Sequence, residues 1–154
     1  MSDVHVTMFG YVGSDVEFKD GGGSADRAMF RLGSTPRRLD RPSGVWRDGE
    51  TVWLTVKAWR GLAHNVAASI NKGDPVVVVG KLRTSVWTGH DGEQHRRDVL
   101  EATTVGHDLG RGTTAFHRQE RAVEKIDEDS TDAEMFAELE REVAEADRPR
   151  LGVA

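Results

Sequence analysis

Apolar and polar residues alternate with period two along most of residues 1–107, the pattern of strands with one buried face. In VHVTMFGYV (4–12), Val4, Val6, Met8 and Val12 share a face. Gly21-Gly22-Gly23-Ser24 marks a loop. RAMFRLGST (27–35) sets Ala28, Phe30 and Leu32 against Arg27, Met29, Arg31 and Thr35. PRRLDRPSGVWRDGE (36–50), with two prolines and two glycines, predicts a long hairpin loop. TVWLTVKAW (51–59) resumes the alternation, with Leu54, Val56 and Ala58 on one side and Trp53, Thr55, Lys57 and Trp59 on the other. The period then changes. Leu62, Val66 and Ile70 recur every four residues in GLAHNVAASINKG (61–73), which predicts a helix of about three turns stopped by Gly73. PVVVVGKLRTSVW (75–87) predicts a strand with proline at its first position, Val76, Val78, Leu82 and Val86 opposing Lys81, Arg83 and Trp87. After a Gly-His-Asp-Gly turn, QHRRDVLEATTVG (94–106) predicts a fifth strand.

Three strands, a helix and two strands is the element order of the OB-fold, a five-stranded Greek-key barrel. The small aliphatic faces suit a barrel interior. On three consecutive strands the opposite face carries arginine, lysine and tryptophan: Arg27, Arg31 and Arg37, then Trp53, Lys57 and Trp59, then Lys81, Arg83 and Trp87.

Composition narrows the function. The chain of 154 residues has no cysteine, which removes disulfides, thiolate catalysis and thiolate-bound zinc and fits a reducing cytoplasm. No apolar run is long enough for a membrane span, and the N-terminal MSDVHVTMFG lacks a secretory pattern. The net charge of −5 is uneven. Residues 1–107 hold 14 Lys+Arg and 13 Asp+Glu, a net +1, whereas residues 108–154 hold 7 and 13, a net −6. The acidity therefore sits in the last third, and the front is near neutral with local basic clusters.

Aromatic platforms separated by cations suit unpaired nucleic acid. Stacking a base on an aromatic ring is worth ~1–3 kcal/mol whatever the sequence, and Lys and Arg neutralise the phosphates. The candidate platforms are Trp53, Trp59 and Trp87; the candidate phosphate contacts are Lys57, Lys81, Arg83, Arg31, Arg37, Arg38 and Arg41. Taken singly, each tryptophan also fits a core or subunit contact, and each arginine a solvated surface. For Trp46, inside the Pro/Gly loop, loop packing and ligand contact fit equally. The weight lies in the coincidence of faces.

The block 51–105 resembles the bacterial single-stranded DNA-binding protein family. The likeness is carried by Trp53…Trp59-Arg60-Gly61-Leu62-Ala63, by the run from Lys72-Gly73 through Leu82-Arg83-Thr84 to Trp87, and by GYVGSDVEF (10–18), with Gly10, Asp15 and Glu17. The resemblance implies an OB-fold over residues 1–107, assembly as a homotetramer, binding of single-stranded DNA without sequence preference, and base stacking at Trp53, Trp59 and Trp87. Where family members often carry a further aromatic, this chain has Thr35-Pro36-Arg37-Arg38, which predicts weaker stacking and a steeper dependence on salt. The family's Gly/Pro/Gln-rich linker and acidic, hydrophobic-ended tip are replaced by a short acidic segment ending ADRPRLGVA, which suggests an accessory paralogue that does not recruit partners through that tip. Within it, Thr131 and Glu134 form a capping box, and Met135, Phe136, Leu139 and Val143 predict an amphipathic helix over 131–147.

Catalysis has no motif to support it: no HExxH, Walker loop or GxSxG occurs, and His90, Asp91 and His95 around the hairpin turn are a poor metal set. No cofactor is expected. Two alternatives to DNA remain at the level of sequence, a protein-assembly module on an OB scaffold and a binder of single-stranded RNA. A cytoplasmic, nucleoid-associated protein is expected.

Overall fold

The computed structural model describes residues 1–120. The helix expected over 131–147 and the rest of the acidic segment beyond 120 lie outside the described residues. Met1–Ala115 form one compact unit.

Its centre is a closed barrel of five strands. β1 (Val4–Val12) pairs with the long β7 (Pro75–Thr88), and β7 pairs with the equally long β8 (Gln94–His107). β8 runs parallel to β6 (Val52–Trp59), β6 pairs with β3 (Arg27–Ser34), and β3 returns to β1 through Tyr11↔Gly33 and Val12↔Leu32. This is the expected OB-fold. Closure needs a glycine: a Cβ on Gly10 would lie 2.2 Å from the Gly33 carbonyl oxygen, so only a bare backbone lets β1 meet β3. A short β2 (Glu17–Lys19) lies against β3. The interior is the aliphatic set read from the alternation, with Met8, Val12, Ala28, Phe30, Leu32, Val56, Ala58, Val76, Val78, Leu100 and Ala102 buried. Helix α1 (Arg60–Ser69) adds Ala63 and Val66, and Ile70 follows from its C-cap. Burying each Val- or Leu-sized side chain contributes about 1.5–3 kcal/mol, so this cluster is the main source of stability.

Several expectations need correction. The helix ends at Ser69, not Gly73, because Ile70 turns extended and the Asp74 carboxylate accepts the Asn71 N–H at 2.9 Å. Gly73, with φ of 93°, serves the following turn and donates its N–H to the Val12 carbonyl. Val86, assigned to the interior, is 56% exposed, and Leu82 is only half-buried. The reason is length. β1 last pairs with β7 at Val4↔Leu82 and β6 begins its pairing with β8 at Thr55↔Val99, so from Thr84 outward β7 and β8 form a two-stranded arm with no interior beneath it. Val4 is exposed at the same rim. Finally, the loop over 36–50 is itself structured, as an antiparallel hairpin of β4 (Arg37–Asp40) and β5 (Val45–Asp48) that forms its own sheet.

Candidate nucleic-acid interface

Cross-strand register converts the alternation into a surface. On the outer face of the barrel, Arg31 of β3 lies beside Thr55 of β6, Thr55 beside Val99 of β8, and Val99 beside Arg83 of β7. The next row is Met29, Lys57, Glu101 and Lys81. Two lanes thus cross four strands, the first with a cation at each end and the second with Lys57 inside it and Lys81 at one end. Thr55 and Val99 are buried although they point outward. The Arg31 guanidinium reaches across to Thr55 Oγ1, donating at 3.4 Å.

Trp53 stands one position up the same face, 48% exposed and in register with Gly33. Its ring lies over glycines: a Cβ on Gly33 would come 2.8 Å from Trp53 Cζ3, and one on Gly13 2.4 Å. Arg31 Cζ sits 5.6 Å from the ring centroid, within cation–π range. The edge of the indole thus rests close on the two glycines, the Arg31 guanidinium lies over the ring, and about half of the side chain remains open to solvent. Trp59 closes the strand half-buried, in register with Arg27, and its position is fixed by the turn into α1, where Arg60 adopts φ of 55° and donates its N–H to the Asp26 carbonyl at 2.8 Å.

Trp87 lies near the tip of the β7–β8 arm, 43% exposed. His95, directly across the ladder, stacks on it with centroids 5.7 Å apart, and Arg97 reaches 5.9 Å from the ring. The turn beyond is fixed by Gly92 at φ of 79° and by the Gly89 N–H to the Glu93 carbonyl. The sequence reading took His95 only as a poor metal ligand and passed over Arg97; counting across the Gly-His-Asp-Gly turn from Trp87 would have set both beside the indole.

Carboxylates complicate the cations. Asp3 bridges Lys81 Nζ at 2.8 Å and Arg83 Nη1 at 3.1 Å, and Glu101 approaches Arg83 Nε at 3.8 Å. The Lys81 hydrogen bond, with the Arg83 charge, holds the Asp3 carboxyl below the usual carboxylate range. Two of the sequence-read phosphate contacts thus already carry an anion. The remaining arginines, Arg37, Arg38 and Arg41, lie off the barrel on the β4–β5 hairpin, all exposed, with Arg37 paired to Asp48 at 3.2 Å. Arg37 and Asp48 also line a groove of about 510 Å³ with Phe9, Tyr11 and Arg111. Among the described residues, no group of three His, Asp or Glu side chains is arranged to hold a metal ion, and no helix is long and apolar enough to cross a membrane.

Residues 3–108 match the model of the single-strand binding protein family. A relative, single-stranded DNA-binding protein 2 of Streptomyces avermitilis, is 41% identical over 118 residues, covering 77% of this chain and 73% of its own. The single-stranded DNA-binding protein of Corynebacterium glutamicum is 38% identical over 71% of this chain, which spans only 48% of that longer protein. Among solved structures, the small single-stranded DNA-binding protein of Streptomyces coelicolor superposes with a TM-score of 0.62 at 35% identity, over 73% of this chain and all of its own. The second single-stranded DNA-binding protein of Mycobacterium smegmatis gives 0.57 at 28%, over 76% of this chain and all of its own.

Proposed function

Because this chain belongs to the single-strand binding protein family, we propose that it binds single-stranded DNA without sequence preference, stacking bases on Trp53, Trp59 and Trp87 and drawing phosphates to the cations between them. The observation that carries this reading is the cross-strand register of Arg31, Thr55, Val99 and Arg83, with Trp53 beside that lane and Trp87 on the arm that continues it. A four-strand surface with exposed rings at intervals fits a flexible strand of unpaired bases. Duplex DNA would call for an element that enters the major groove, and α1 is short, with no basic residue in its last turn.

The proposed role is binding, to protect or organise single strands, in replication, repair, recombination or uptake of DNA, with no catalytic step, in the cytoplasm. The proposed assembly is a homotetramer. Phe9, Tyr11 and Val79 are exposed together on the outer faces of the adjacent strands β1 and β7, an apolar surface suited to another copy of the chain.

The test is a titration with a ~35-nucleotide oligo(dT), following tryptophan fluorescence at low and moderate salt. Saturable quenching, with affinity falling as salt rises, is the expected result. Binding without any quenching would refute the stacking mechanism, and no binding at low salt would refute the function itself.

A further inference from the structure

The single parallel pairing in the barrel has a geometric outcome. β6 and β8 run side by side in the same direction, Thr55 beside Val99 and Lys57 beside Glu101. The β4–β5 hairpin leads into the start of β6, and the free part of the β7–β8 arm leads into this stretch of β8. Both two-stranded projections therefore leave the same end of the barrel, and Trp53, at the start of β6, lies between their bases. One projection carries Trp87. The other carries Trp46.

Trp46 is built to be presented. It is 57% exposed, and Leu39, its direct partner across the hairpin, is 46% exposed, so the pair offers an open apolar face away from the core. The hairpin is held in shape at both ends. At its base Thr35 and Thr51 hydroxyls bond at 2.7 Å, the Gly49 N–H donates to the Pro36 carbonyl at 2.8 Å, and Arg37 pairs with Asp48. At its tip Gly44, at φ of 68°, donates its N–H to the Asp40 carbonyl, while Ser43 and Arg47 both engage the Asp40 carboxylate. The charge around the indole is positive: residues 37–48 hold four arginines against two aspartates, and both carboxylates are already engaged by Arg37, Arg47 and Ser43. No ion pair is found for Arg38 or Arg41 among the described residues.

An exposed indole on an arginine-rich hairpin, which leaves the barrel at the end where β6 begins and carries Arg41 in its turn, fits one occupant best, a single strand leaving the barrel. We propose that Trp46 is a further base-stacking platform and that the β4–β5 hairpin, with Arg41 of its turn on the phosphates, forms the second wall of a cleft whose first wall is the Trp87 arm. The inference rests on the stacking function proposed above.

The experiment compares wild type, W46A, W46F and W53A for affinity to a ~35-nucleotide oligo(dT) at low salt, with melting temperature and oligomeric mass recorded for each. W46A is expected to bind about 5- to 150-fold more weakly, the equivalent of one stacked base, and W46F, which keeps a ring, to stay within about twofold of wild type. Because Trp46 lies outside the core, W46A and W46F should melt with the wild type. Wild-type affinity in W46A, or W46F as weak as W46A, overturns the proposal; a loss confined to W53A would leave the barrel-surface reading standing. A change of oligomeric mass in W46A with unchanged affinity would make the hairpin a contact between copies and also overturn it. Failure of the wild-type protein to bind oligo(dT) would remove the underlying function as well.

Discussion

Gly33→Ala separates the DNA platform from the fold. A Cβ there would meet Trp53 at 2.8, 2.9 and 3.1 Å, against the ~3.5–4.0 Å that carbon atoms prefer. Those atoms form the outer edge of an indole on an open face, so the ring should retreat by roughly 0.5–1 Å and leave β3 in place. A gap of that size forfeits about a quarter to a half of a dispersion well, and a stacked base is worth ~1–3 kcal/mol. The expected cost is ~0.3–1.5 kcal/mol at this stacking position, about 1.5- to 12-fold in affinity. Stability should hold, since alanine in a strand relieves backbone entropy that glycine costs. Polarisation titrations with labelled oligo(dT) and thermal melts read the two quantities separately. Gly10→Ala is the contrast, because its Cβ would strike the Gly33 carbonyl at 2.2 Å and must damage barrel closure. Wild-type affinity in G33A with unaltered tryptophan emission would refute the placement of a base on Trp53. A drop in melting temperature that matches the drop in affinity would show strain in the strand and refute the separation.

Trp87→Ala should weaken binding by ~1–3 kcal/mol in the same titration, and an unchanged affinity would remove the arm from the groove. Asp3→Asn should raise affinity at low salt and steepen the plot of log K against log salt by up to about 1.4, since Lys81 and Arg83 would no longer carry an internal carboxylate; weaker binding would mean that Asp3 positions them instead. The Asn71 N–H holds the Asp74 carboxyl below the usual range, with the hydrogen bond from His107 acting in the same direction. A depressed carboxyl stabilises the fold fully above its unfolded value near 4 and loses that contribution as pH falls through the lower folded value. Denaturant melts of wild type and Asp74→Asn should therefore differ at pH 7 and converge towards pH 3, and a constant gap would contradict the assignment.

Strand periodicity exposed most of the barrel and most of its outer face, because a side chain's direction on a strand is a local property. Leu54, Val56 and Ala58 could be separated from Trp53, Lys57 and Trp59 without knowing which strand lay alongside. Properties set by partners were not legible. Val86 follows the interior period and is exposed because β7 outruns β1, a fact about the length of another strand. The occupation of Lys81 and Arg83 by Asp3 depends on β1 and β7 being neighbours, and no spacing along the chain records that. The helix end was misplaced by four residues because Gly73 is a strong stop signal, whereas the capture of the Asn71 N–H by Asp74 acts earlier. Trp46 sat in a segment whose prolines and glycines hid a short ladder, although Leu39 and Trp46 are the apolar pair that a hairpin would place face to face.

The parallel contact between β6 and β8 also sets when the protein becomes competent during its own synthesis. Trp53 and Trp59 leave the ribosome long before Val99 arrives to pair with Thr55, and antiparallel neighbours alone cannot complete the outer surface. Until then β6 has one open edge beside two large aromatic side chains, which favours pairing with other chains over binding to nucleic acid. A product cut short before β8 is accordingly an aggregation hazard rather than a weak binder, and the strand that closes the barrel is the one that makes the rest safe.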